Sequence, residues 1–166
     1  MYQFHSSQTS NSHINFDMLI RELSLLRELA DSSTIVVEGK RDAEALRSLG
    51  IDAEFYFISG SLSSINQLAE SLSEKGKEVI VLTDFDSKGK QLAARLIREL
   101  HGCGKKVKVN TEVRRNLMRA FNNVKIGEIE DLKSLIEKFK GDIYGKNRNR
   151  SNKIRDKGKA YSHRRS

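Results

Sequence analysis

The chain has 166 residues with one cysteine, no proline and a formal net charge of +8. Its length allows one domain with a sizeable core, and its single cysteine excludes an internal disulfide or a cysteine-based zinc site. The polar first residues and the lack of a long apolar stretch predict a soluble, cytoplasmic protein without a membrane span. Residues 141–166 contain nine Lys and Arg against two Asp, so most of the excess charge lies there and favours a polyanionic partner.

The hydrophobic pattern, followed in chain order, predicts an α/β fold. After a disordered lead over 1–15, leucines at three- and four-residue spacing predict a helix from Phe16 to Ala30. Apolar runs without polar alternation predict buried parallel strands at Thr34–Val37, Phe55–Ile58 and Val79–Leu82, with a further short strand at Val107–Val109. Helices are predicted at Arg41–Leu49, Leu62–Leu72 and Gln91–Leu100, and around Val113–Phe121 and Leu132–Phe139. This order favours a parallel sheet flanked by helices.

A glutamate closes the first predicted strand. Glu38 follows the apolar run and precedes Gly39, which allows close approach of a ligand to the backbone. Open parallel sheets bind ligands outside the carboxyl ends of their strands, which is the position expected for Glu38. Taken alone, such a residue is equally typical of a helix cap or a solvent-exposed strand end.

Two aspartates follow the third predicted strand, in the sequence Asp84-Phe85-Asp86. If both continue the strand, its period of two points their carboxylates to the same side, as oxygen-based binding of a hard cation requires. An Asp-x-Asp sequence also occurs in surface turns. Two acidic motifs that each close an apolar strand and open a helix favour a shared metal site made by Glu38, Asp84 and Asp86.

These acidic motifs resemble those of the Toprim family, which includes type IA and type II topoisomerases, primases and small nucleases that mature ribosomal RNA. The resemblance extends from about Ser32 to Val109 and consists of Glu38-Gly39 with Asp42 and of Asp84-Phe85-Asp86 with Gly89. Within the family, the chain is most similar to the small stand-alone archaeal Toprim proteins.

The resemblance implies a compact, Toprim-like four-stranded parallel sheet, with a core over 32–110 inside a domain over 16–140. It implies Mg²⁺ as the cofactor, with Asp84 and Asp86 as metal ligands and Glu38 as general acid/base or metal ligand. Lys90 stands where topoisomerase-type motifs carry an acidic residue, and the sequence has no recognisable tyrosine domain, gate or ATPase module. Strand passage and full primase activity are therefore excluded.

Basic residues flank both acidic motifs. Lys40, Lys88 and Lys90 are predicted to bind phosphate beside the metal. The alternative is that they are solvated residues at helix starts that balance nearby acids. A trailing helix carries further cations opposite its apolar stripe, and these are interpreted as an ordinary polar face: Arg114, Arg115 and Arg119.

The tail over 141–166 lacks apolar periodicity and is predicted to be an RNA-binding element. Its cations are Lys146, Arg148, Arg150, Lys153, Arg155, Lys157, Lys159, Arg164 and Arg165. Tyr144 and Tyr161 lie among them, and flexible arginine-bearing segments with aromatic residues commonly order on RNA by stacking on exposed bases. The alternative is a disordered cationic end with nonspecific affinity.

Two functions agree with these features. The first is a Mg²⁺-dependent phosphodiester-cleaving nuclease that acts on structured RNA, such as ribosomal RNA precursors, with one or two metal ions. The second is a non-catalytic ribosome- or RNA-associated factor that uses the acidic site for metal-bridged phosphate docking. RNA is favoured over DNA as the partner because of the composition of the tail.

Overall fold

A computed structural model describes residues 13–58, 65–104, 106–122 and 124–140, so the tail and most of the predicted lead lie outside the described residues. The elements are α1 (Phe16–Leu29), β1 (Ser33–Val37), α2 (Lys40–Ser48), β2 (Glu54–Phe57), α3 (Ile65–Lys75), β3 (Glu78–Val81), α4 (Ser87–Gly102), β4 (Val109–Asn110), α5 (Glu112–Ala120) and α6 (131–140). The predicted α/β fold is confirmed. The predicted start of α3 at Leu62 lies outside the described residues.

The four strands form one parallel sheet in the order β2-β1-β3-β4. Central strand β1 pairs with β3 from Ser33↔Glu78 to Val36↔Val81, so both strands end at the same edge of the sheet. Because β1 and β3 are neighbours, the residues that follow them are brought together although more than forty positions separate them in the chain. This topology positions the two acidic motifs side by side.

Strand β2 differs from the expectation that three strands are buried on both faces. It lies at the edge of the sheet, Glu54 is exposed, and Phe55, Tyr56 and Phe57 are only partly buried. An edge strand has one neighbour, so part of its apolar surface is covered by long side chains from adjacent helices. The guanidinium of Arg47 lies 4.8 Å from the centre of the Phe55 ring.

The sheet separates two apolar layers. On one face, Ile35, Val37 and Ile80 pack with buried residues of α1, α2, α5 and α6. On the other face, Val36 and Val79 pack with buried residues of α3 and α4. The alternation of neighbouring β1 residues between these layers follows from the two-residue period of a strand. None of the described helices is long and apolar enough to cross a membrane.

The first and last described helices are joined to the body of the domain by specific contacts. Asn15 caps α1, because its Oδ1 accepts a hydrogen bond of 3.0 Å from the Met18 N–H. The Asn15 N–H donates to the Ala120 carbonyl at 2.7 Å, which ties the start of α1 to the end of α5. The rings of Phe16 and Phe139 stack with centres 3.8 Å apart, so α6 is fixed against α1.

Candidate metal site at the carboxyl edge of the sheet

Glu38 connects the two acidic motifs. It directly follows β1 and is 7% exposed. Its Oε1 accepts a hydrogen bond of 3.3 Å from the Asp84 N–H, and its Oε2 lies 3.5 Å from the Lys88 Nζ. Burial, followed by the negative charge of Asp84, raises the pKa of Glu38, whereas Lys88 acts in the opposite direction. The carboxyl group of Glu38 is therefore held between the loop after β3 and the start of α4.

Asp42 supports the first motif from within α2. Gly39 is the N-cap of α2, and the Asp42 carboxylate reaches back to accept a hydrogen bond of 2.8 Å from the Gly39 N–H. Asp42 is 5% exposed, and burial raises its pKa to about 6. The hydrogen bond from Gly39 acts to lower this pKa, whereas the nearby carboxylates of Asp84 and Glu38 act in the same direction as burial, so Asp42 contributes to a cluster of negative charge.

The second motif is a turn, which differs from the expectation that Asp84 and Asp86 continue the strand. Strand β3 ends at Val81, and Asp86 is the N-cap of α4, where its Oδ1 accepts a hydrogen bond of 2.7 Å from the Gly89 N–H. The Oδ1 of Asp84 accepts a hydrogen bond of 3.0 Å from the Ile129 N–H. The Gly89 N–H at the start of α4 and the Ile129 N–H in a neighbouring loop have no backbone acceptor, and the two carboxylates bind them instead. The chain therefore leaves the strand conformation at this motif.

Buried polar contacts fix the shape of this turn. The Thr83 hydroxyl is fully buried and donates a hydrogen bond of 2.7 Å to the Gly89 carbonyl. The Phe85 N–H donates to the Gly127 carbonyl at 2.7 Å. The Phe85 ring meets the Phe121 ring edge to face, with centres 4.9 Å apart. The loop between α5 and α6 therefore holds the second motif in place.

Arg114 is a site residue that the sequence analysis assigned only to a polar helix face. Its Nε donates to the Thr83 carbonyl at 3.1 Å, and its Nη2 donates to the Asp84 carbonyl at 2.6 Å. Burial lowers the pKa of Arg114, while the charges of Asp84, Asp86 and Glu38 act to raise it. Helical periodicity identifies the buried stripe of α5. It does not indicate that an arginine next to this stripe will bind a turn that is distant in the sequence.

The three cations predicted to bind phosphate lie in different surroundings. Lys88 is 74% exposed and contacts Glu38. Lys40 is the exposed first residue of α2, beside Gly39. Lys90 is exposed on α4 and lines a groove between α4 and α5. The predicted RNA-binding cations of the tail lie outside the described residues.

The acidic cluster has the donor chemistry of a Mg²⁺ site, since Mg²⁺ prefers carboxylate oxygens and water. Burial raises the pKa values of both Glu38 and Asp84, and a neighbouring carboxylate acts in the same direction, that of Asp84 on Glu38 and that of Asp86 on Asp84. A cation bound among these groups would favour their ionised forms. Within the described ranges, no set of three or more His, Cys, Asp and Glu side chains has the geometry to hold a metal ion. In this arrangement, one oxygen of Asp84 and one oxygen of Asp86 each accept a hydrogen bond from a backbone N–H.

The raised pKa of Asp42 predicts an unusual pH dependence for the metal-free protein. Asp42 binds a proton more tightly in the folded state, with a pKa of about 6 against 3.8, so its ionised form destabilises the fold above pH 6. We expect acidification from pH 7 to pH 5 in EDTA to raise the free energy of unfolding by about 1 kcal/mol. Urea unfolding at both pH values measures this gain.

The Asp42→Asn variant is the control for this pH dependence. Its amide oxygen can still accept the Gly39 hydrogen bond, but the side chain no longer titrates. We expect its stability to change less between pH 7 and pH 5 than that of the unaltered protein. An equal gain in both proteins would assign the effect to other groups.

Comparison with known proteins identifies the class first. A Toprim domain model matches residues 32–111, which include both acidic motifs and all four strands of the sheet. A solved structure of a protein from Aquifex aeolicus has a TM-score of 0.57 and 26% sequence identity, over 68% of this chain and 96% of that chain. The resemblance to Toprim proteins is confirmed.

Archaeal relatives then give the family. A UPF0292 protein of Methanocaldococcus jannaschii is 39% identical over 124 residues, which cover 74% of this chain and 93% of that protein. A UPF0292 protein of Pyrococcus furiosus is 39% identical over 126 residues, which cover 76% of this chain and 89% of that protein. The chain belongs to the UPF0292 family. Its similarity to small stand-alone archaeal Toprim proteins is confirmed, and the Toprim domain indicates a nucleic-acid-related, metal-binding function.

Proposed function

We propose that this protein is a Mg²⁺-dependent nuclease that cleaves phosphodiester bonds in structured RNA, such as ribosomal RNA precursors. The observation that carries the proposal is the placement of Glu38. A buried carboxylate with a raised pKa bridges the ends of two neighbouring parallel strands and contacts both the backbone of Asp84 and the ammonium of Lys88. Titratable groups with environments of this kind are typical of catalytic sites.

Asp84 and Asp86 would hold the metal together with Glu38. One carboxylate oxygen of each aspartate accepts a hydrogen bond from a backbone N–H, an arrangement that fixes the side chain and leaves the second oxygen as the candidate ligand. When bound, Mg²⁺ supplies positive charge opposite the phosphate oxygens and stabilises the charge that develops during cleavage.

Glu38 is the candidate general acid/base. Burial raises its pKa, which strengthens the carboxylate as a proton acceptor. Lys88, at 3.5 Å, favours the ionised form that accepts a proton from an attacking water molecule. The proton would return to the leaving oxygen of the RNA as the phosphodiester bond breaks.

The cations around the site are proposed to hold the RNA. Lys40, Lys88 and Lys90 would bind phosphates next to the carboxylates, where charge-assisted hydrogen bonds are strong. The tail cations would supply most of the remaining affinity through counterion release.

The experiment measures Mg²⁺ binding and RNA cleavage in the same set of proteins. We expect the unaltered protein to cleave ribosomal RNA precursors with Mg²⁺ and not with EDTA. Asp84→Asn and Asp86→Asn should weaken Mg²⁺ binding at least about tenfold by calorimetry, because each removes a charged ligand. Glu38→Gln should lower the cleavage rate about 100-fold or more, because the group that moves the proton is lost.

Asp52→Asn is the matched control, since Asp52 is an exposed carboxylate outside the motifs and the substitution removes the same charge. It should bind Mg²⁺ and cleave RNA like the unaltered protein.

If Asp84→Asn and Asp86→Asn unfold the protein without changing Mg²⁺ affinity, the two acids are structural. Binding of Mg²⁺ and RNA without cleavage would instead favour the non-catalytic docking factor.

A further inference from the structure

A groove runs between α4 and α5 beyond the short edge strand of the sheet. Pairing of β3 with β4 ends at Ile80, opposite Asn110. The next residue of β3, Val81, lies at the bottom of a cavity of about 280 Å³ between the two helices. Because β4 contains only two residues, the space that a longer strand would fill is open to solvent between α4 and α5.

The groove combines an apolar floor with cationic walls. Val81, Ala93 and Ile97 contribute the floor, and Lys90, Arg114 and Arg115 contribute the charges. None of the described residues that line this cavity is acidic. The small side chains of α4 at this position allow close approach of a ligand backbone. An apolar surface that is bordered by cations and has no acidic residue in its lining is complementary to a chain of phosphates joined by sugars and bases.

The groove continues to the second acidic motif. Met118, which is 41% exposed, lines both this cavity and a second cavity of about 510 Å³ that reaches Asp86 and Ser87. Arg114, in the wall of the first cavity, donates to the Asp84 carbonyl at 2.6 Å. The groove is therefore linked to the second acidic motif through Met118 and Arg114.

We propose that the α4–α5 groove binds the single-stranded segment of RNA that flanks the phosphate at the acidic site. Lys90 and Arg115 bind its phosphates, and the exposed Met118 and the partly exposed Ile97 contact its sugars or bases. Unpaired RNA suits this position, because its bases are free to pack against apolar side chains, whereas those of a duplex are stacked and paired. This inference rests on the proposed function for the identity of the ligand.

The test compares two double variants of the full chain that remove the same charge. Lys90→Gln with Arg115→Gln alters the groove, whereas Arg95→Gln with Arg119→Gln alters exposed positions of the same two helices that do not line it. Affinity for an end-labelled single-stranded RNA is measured by fluorescence anisotropy over a range of salt concentrations. EDTA is present throughout, so that no cleavage intervenes.

We expect the groove variant to lose two phosphate contacts. The plot of log affinity against log salt should become shallower by about 1.4, because each lost contact removes ~0.7 from its slope. At 0.1 M salt this change corresponds to about 25-fold weaker binding. The control variant should bind like the unaltered protein. Ala94→Glu, which adds a negative charge to an exposed residue lining the groove, should also weaken binding relative to Ala94→Gln.

Equal RNA affinities and equal salt slopes for the two double variants would overturn the groove as a binding site. Equal RNA affinities for Ala94→Glu and Ala94→Gln would overturn it as well. Stronger binding of a matched duplex through the same residues would overturn the single-stranded ligand. The proposed function is tested separately by Mg²⁺-dependent cleavage. Weakened binding of the groove variant together with a failure of cleavage would retain the groove and reject the nuclease.

Discussion

Gly89→Ala is expected to destabilise the protein by about 3 kcal/mol, the upper part of the range for overpacking. A Cβ added at Gly89 would lie 2.7 Å from the Asp84 carbonyl carbon and 3.0 Å from its Cα, and closer still to the carbonyl oxygen. These atoms belong to the backbone of a turn that Thr83, Arg114 and Glu38 already hold, so the turn cannot move without breaking buried hydrogen bonds. Urea unfolding measures the loss.

Gly102→Ala is the matched control for this effect. Gly102 is the last residue of the same helix, α4, and a Cβ there would meet no atom within 4 Å. Because alanine has the higher helix propensity, this substitution should leave stability unchanged or raise it by up to about 1 kcal/mol. If Gly89→Ala were as stable as Gly102→Ala, the close packing of Asp84 against α4 would be wrong.

The same contact predicts a loss of function in Gly89→Ala that exceeds the loss of stability. To relieve the clash, Asp84 and the start of α4 must move apart, and we expect Asp84 to be displaced from its hydrogen bonds with Glu38 and Ile129. The two acidic motifs would then separate even in molecules that remain folded. Glycine at position 89 is therefore a requirement of the candidate site as well as of helix packing.

The relation between the two acidic motifs was predictable from the sequence. Glu38 and Asp84 each follow an apolar strand, and a parallel sheet brings the carboxyl ends of its strands to one edge. The order of the strands was not predictable in this way, because periodicity carries no information on which strands are neighbours. The Toprim resemblance supplied the four-stranded parallel sheet, and the structure shows β1 and β3 paired as that site requires.

The details of the second motif could not be predicted from spacing. The sequence Asp84-Phe85-Asp86 is compatible with a strand and with a helix N-terminus. Which of the two forms depends on hydrogen-bond donors from elsewhere in the chain. The Ile129 N–H, which binds Asp84, comes from a loop 45 residues further on. Propensity describes local preferences, whereas this turn is set by tertiary hydrogen bonds.

Segments beyond the matched Toprim domain build part of the candidate site. The domain match ends at residue 111, whereas Arg114, Gly127 and Ile129 all contact the turn over 83–85. The matched region alone would leave the Asp84 carbonyl and one of its carboxylate oxygens without these donors. The helices after the sheet therefore contribute to the position of the acidic motif, in addition to covering one face of the core.

Removal of residues 141–166 is expected to cause the largest loss of RNA affinity among these changes. The segment carries nine Lys and Arg against two Asp, a net charge of +7. If four of its cations each neutralise one phosphate of a single strand, log affinity at 0.1 M salt should fall by about 2.8, because each contact contributes ~0.7. The slope of log affinity against log salt should become shallower by the same amount.

The fold should survive this truncation, since the last described helix is anchored by its own side chains. Leu132 and Ile136 of α6 are buried, and Phe139 stacks on Phe16 of α1. In a second, full-length variant, Gln replaces the nine tail cations, so that the charge is lost but the chain length is kept. This variant should bind RNA as weakly as the truncated chain. Thermal unfolding of all three proteins should give similar midpoints. Equal affinity and equal salt slope for the truncated and intact chains would reject the tail as an RNA-binding element and leave the cations of the folded domain, including those of the α4–α5 groove, as the source of binding.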